Sequence, residues 1–187
     1  MVRRLMEFGD TKVMIYRRIC SSLPILFCLV SITEARTRYL DFQATMCEAG
    51  EAVYISCSLD AGPTPNDYSG PVASVCAKGN KSPDTGYVQY RYGIPGAKVD
   101  FAYPRKKIPP QDKLKIYATA AGDRASLRFR DGRKVYAFED HGFSGYKLIV
   151  TDSGREVISK WCDGPGVTSL TDSAYLGIEK IESEVGP

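Results

Sequence analysis

Histidine is nearly missing from this 187-residue chain, which has His141 and no other. Multi-histidine metal sites are thereby excluded, and any Ser-His-Asp or Cys-His catalysis would have to run through that one residue. No C-x-x-C pair occurs, and the cysteine spacings match no common zinc finger or ribbon. A strong excess of one charge is lacking too: 25 Lys+Arg stand against 22 Asp+Glu, a net +3, too weak for a nucleic-acid surface. The apolar run from Ile19 to Ile32 is only 14 residues, about 21 Å as a helix, against a hydrocarbon core of roughly 30 Å. Repeats, low-complexity tracts and long amphipathic helices are not evident. What remains is an ordinary globular composition, 43% hydrophobic, able to close a core.

That short apolar run reads as an export signal. Arg17 and Arg18 precede it, and Thr33-Glu34-Ala35 follows with small residues where a signal peptidase inspects the chain. Cleavage is expected after Ala35. Glu7 and Asp10 fit poorly in front of a compact positive region, which makes Met14 an alternative initiator. Phe27 before Cys28 argues against lipidation. Residues 36–187 then form a single, nearly neutral mature domain with a tail from about 164.

Removal of the leader takes Cys20 and Cys28 and leaves Cys47, Cys57, Cys76 and Cys162. An even number in an exported protein predicts two disulfides. Val53, Ile55, Cys57 and Leu59 alternate with polar neighbours, so Cys57 points inward on a strand. The run VASVCA over 72–77 returns as its hairpin partner, which predicts Cys57–Cys76 and leaves Cys47 for Cys162.

The rest of the chain is punctuated like an antiparallel β-sandwich or small barrel built from hairpins. YVQYRYG, KVDFAYP, KLKIYATA, ASLRFR, KVYAFE, YKLIVT and EVISKWC are each bounded by turn residues, with Asp131-Gly132 and Asp152-Ser153-Gly154 as hairpin signals. The stretch SLTDSAYLGIEKIE fits one short helix or a strand. In order, YISCSL, SVCA, SPDTGYVQYRYG, FRDGRKVYAF and GREVISKWC resemble a group of small exported Gram-negative bacterial proteins with no assigned function, over roughly residues 47–162. The resemblance implies export and a β fold, and supplies no catalytic residues; the tail after Cys162 departs from it.

His141 sits in EDHGFSG with Ser144, but G-F-S-G lacks the second glycine and the strand-to-helix context of a nucleophile elbow. A hydrolase using His141 is therefore the least favoured reading, and nothing in the spacing promotes a metal on Asp140, His141 and Asp163. Binding is the better expectation. Arg105, Lys106 and Lys107 lie on a loop braced by Pro104, Pro109 and Pro110, and Arg124, Arg128, Arg130, Arg133 and Lys134 decorate the Asp-Gly hairpin. Val88, Tyr90 and Tyr92 share one strand face; Tyr87, Gln89 and Arg91 share the other, which makes Tyr87 and Arg91 an exposed contact patch if the first set is core. The expected function is an exported, disulfide-stabilised binding module, an inhibitor or immunity-type protein acting on an envelope enzyme. The alternative is a structural or ligand-binding envelope protein recognising an anionic glycan or lipid headgroup. The expected partner is a protein or an anionic envelope component, with no nucleic acid and no cofactor.

Overall fold

The computed structural model describes residues 44–59, 70–119, 124–162 and 169–183; the expected leader, the residues linking the first hairpin and Asp163 lie outside them. Two sheets face each other. The first is the meander β1 (Ala52–Ser58), β2 (Val72–Lys78), β3 (Tyr87–Gly93) and β4 (Val99–Tyr103), antiparallel throughout. The second contains β5 (Leu114–Thr119), β6 (Ala125–Asp131), β7 (Lys134–Asp140), β8 (Tyr146–Asp152) and β9 (Arg155–Trp161), with β10 (Glu179–Ser183) added beside β5. Of the two expected architectures, sandwich or small barrel, the two separate facing sheets are those of a sandwich.

Period-two patterning places the core between the sheets. Leu127 and Phe129 on β6 and Tyr146, Leu148 and Val150 on β8 are buried, while Arg130, next to Phe129 on β6, is exposed. Aromatic rings dominate the contact. Phe101, Tyr136, Phe129 and Tyr103 stack in a column with centroid separations of 5.4, 4.7 and 4.7 Å, and Tyr90 packs 4.9 Å from Phe129. Both hairpin signals form two-residue turns. At the second, Ser153 and Gly154 take φ of 52° and 82°, the paired left-handed conformation whose twist matches that of the flanking strands.

The tail is both helix and strand. Helix α1 (Asp172–Gly177) leads directly into β10, which pairs parallel with β5 and makes the second sheet mixed. Asn80, in the turn after β2, holds α1 in place: its Nδ2 donates to the carbonyls of Ser82, Thr85 and Gly177, and its Oδ1 accepts from the buried Tyr54 hydroxyl at 2.7 Å. Asn80→Asp would aim a carboxylate at those three carbonyl oxygens. A loss of about 2–3 kcal/mol in urea unfolding is expected, with an unchanged m-value.

The disulfides are Cys47–Cys76 and Cys57–Cys162, not the pairing expected from strand phase. β1 and β2 are indeed neighbours, but Cys57 lies opposite Ala73 and Cys76 opposite Val53. Cys57 shares the core face with Ala73 and Val75, whereas Cys76, one residue out of phase with Val75, faces away from the core. Each cysteine therefore bonds to whatever covers its own face.

Candidate functional site

The cover over the outer face of the first sheet is the segment 44–51, which crosses β1, β2 and β3 as a strap. Its Met46 N–H donates to Ser74 Oγ at 3.0 Å, and Ser56 Oγ donates to the Ala44 carbonyl at 2.7 Å. Beneath it Arg91 is buried, with 2% of its side chain exposed, in a two-pronged pair with Glu51, whose side chain is 1% exposed. The expectation that Arg91 is an exposed contact residue is thus overturned. Its strand face is as expected, but that face is covered. Tyr87 is half-buried and donates to the same Glu51 carboxylate, and Gln89 Oε1 accepts from Arg91 Nε at 2.9 Å. Burial alone would push the Glu51 carboxyl up; bonds from Arg91, Tyr87 and the Glu48 N–H outweigh it and hold the pKa below its ordinary value.

The proline-braced loop is less free than its composition suggests. Arg105 and Lys106 are exposed, but Lys107 lies 2.9 Å from Glu48, 3.7 Å from Glu51 and over the Tyr87 ring. Lys107 clips the strap. Cys47, Glu51 and Cys76 bring potential ligand atoms within 4.8 Å of one another, yet both sulfurs are bonded to each other and offer no thiolate. His141 is exposed, 3.8 Å from Glu139 and edge-on to the Trp161 ring; no hydrogen bond joins its side chain to Ser144 among the described residues.

A different cluster is built on the outer face of the second sheet. Lys115 on β5 is paired directly with Arg128 on β6. Lys113, in the turn just before β5 with its N–H bonded to the Pro110 carbonyl, lines the same depression as Arg130, two residues along β6 from Arg128. Like charges placed directly across two strands destabilise a sheet, and beside this row a second lysine and arginine, Lys113 and Arg130, line the same depression. β7 contributes only Val135 and Ala137 opposite Arg130 and Arg128, which leaves a shallow depression of about 380 Å³ bordered by Tyr117 and Asp112. The rows differ in their neighbours. Lys115 lies 3.3 Å from Glu179 and Arg128 3.3 Å from Glu139, with Arg128 also held by Ser126 Oγ and stacked on Tyr117. Lys113 and Arg130 have no carboxylate within ion-pairing distance among the described residues.

Of the residues expected from the sequence, Arg128 and Arg130 are brought together here. Arg105 and Lys106 are exposed on their separate loop, Arg124 and Lys134 are exposed, and Arg133 lies 3.6 Å from Asp152. Lys113, Lys115 and Tyr117 were not anticipated. Their signal was the alternation K-L-K-I-Y, which places all three on the face opposite Leu114 and Ile116. Among the described residues no helix is long and apolar enough to cross a membrane. Comparison with protein-family models, with curated proteins and with solved structures finds no match.

Proposed function

We propose that the chain is an exported binding module, stapled by two disulfides, that takes an anionic envelope ligand on the outer face of β5 and β6. One observation carries the reading: four cations, the cross-strand pair Lys115 with Arg128 and the neighbouring Lys113 and Arg130, line one depression where their mutual repulsion is unfavourable. An anion would relieve that repulsion. The leader pattern and the disulfides support export. An inhibitor or immunity contact with an envelope enzyme asks for about 800 Å² per partner. The depression, about 380 Å³, instead falls at the lower end of the roughly 300–1,000 Å³ range of small-ligand sites, which favours a glycan-type ligand.

Retention on immobilised digalacturonate tests the reading. The oxidised protein should bind at low salt and elute as salt rises. Lys113→Glu with Arg130→Glu should elute with the void, while Arg105→Glu with Lys106→Glu, on the other exposed basic loop, should keep most of its retention. Equal retention of the face variant and wild type would remove this face from the proposal.

A further inference from the structure

We infer that this face recognises a short acidic saccharide through two anionic groups about 7 Å apart, one received by each Lys–Arg row. The inference rests on the anion-binding reading above and adds a spacing, a valency and a ligand size to it. Residues two apart on a strand lie about 7 Å apart, which is the spacing of Arg128 and Arg130 on β6 and sets the distance between the two anion positions. Lys115 stands directly across from Arg128, and Lys113 lines the depression together with Arg130.

The rows are prepared in different ways. Arg128 is oriented by Ser126, Glu139 and the Tyr117 ring, and those two hydrogen bonds leave three of its five N–H donors for a ligand. The Lys113 and Arg130 row is exposed and has no carboxylate partner among the described residues, so its charge is available outright. Beside Arg130, on β7, Val135 lines the depression and offers apolar contact to the carbon face of a sugar. Glu139, Glu179 and Asp112 flank the four cations and place negative charge at their margin. A long polyanion lying across the face would meet those carboxylates; a short ligand with two acidic groups fits between them.

Calorimetric titration with galacturonate, digalacturonate and trigalacturonate tests the valency. A second carboxylate that reaches the second row binds as an intramolecular event, so the best of the longer ligands should bind at least tenfold more tightly than the monosaccharide. Lys113→Gln with Arg130→Gln should abolish that gain and leave monosaccharide affinity within about twofold. The same variant should keep or raise the melting temperature, since it removes a like-charge row, whereas a merely structural role would lower it. Equal binding of mono- and disaccharide, lost together in a Lys115→Gln/Arg128→Gln variant, would overturn the two-row reading while sparing anion binding at the face. No response to any uronate would overturn both, and binding only to phosphatidylglycerol vesicles would overturn the saccharide.

Discussion

Arg91→Ala is expected to destabilise the domain by about 3–5 kcal/mol, the range for removing one partner of a buried ion pair. Glu51 would be left with 1% of its side chain exposed and without its two-pronged partner, and the Met46 carbonyl would lose its donor as well. Replacing both partners together, Arg91→Met with Glu51→Leu, should recover most of the loss because no unpaired charge is left behind. The pH dependence follows from the depressed carboxyl of Glu51. Its contribution is fully present above the ordinary carboxylate pKa and is lost as pH falls through the lower folded value. Urea unfolding at pH 7 and at a pH below the ordinary carboxylate range should therefore show wild type losing its advantage over the double variant as the pH falls. A wild type as far ahead of the double variant in acid as at pH 7 would show that Glu51 does not titrate with unfolding.

The second large effect concerns the covalent closure of the core. Cys57–Cys162 spans 105 residues and Cys47–Cys76 spans 29. In the chain-entropy treatment these are worth about 5 and about 3.5 kcal/mol. Cys57→Ala with Cys162→Ala should accordingly cost more in urea unfolding than Cys47→Ala with Cys76→Ala. The two losses should also differ in kind. Cys57 is buried in the core, so its removal lowers global stability; removal of Cys47–Cys76 frees only the strap, where faster amide exchange near Met46 should come first. Non-reducing peptide mapping should recover peptides joining 47 to 76 and 57 to 162, and a 57-to-76 peptide would contradict the topology.

Strand phase was legible on β3, but not at the start of β1, where a bulge between Val53 and Ile55 turns Tyr54 into the core beside Ile55. Val88 and Tyr90 turn inward and Gln89 and Arg91 outward, as the alternation requires, and both Gly-containing hairpins form where the turn residues stand. What lies over a face was not legible. Whether Arg91 meets solvent depends on a strap some forty residues earlier in the chain, and no local pattern in YVQYRYG records it. The disulfide pairing failed for the same reason, since nearness in a hairpin does not say which side of the sheet a thiol occupies. At the candidate site the arginines of β6 were visible as a cluster, but the lysines of β5 acquire meaning only through the register that sets Lys115 against Arg128.

The parallel pairing of β10 with β5 also governs the order in which the domain can form. β5 has a finished neighbour on one side once β6 is made, but its other edge waits for residues 179–183. A pairing of such long sequence separation closes late and slowly compared with the hairpins that follow β5. Until then the edge presents unpaired backbone to any other extended chain. A polypeptide released or cleaved before residue 179 is thus set up to associate through β5.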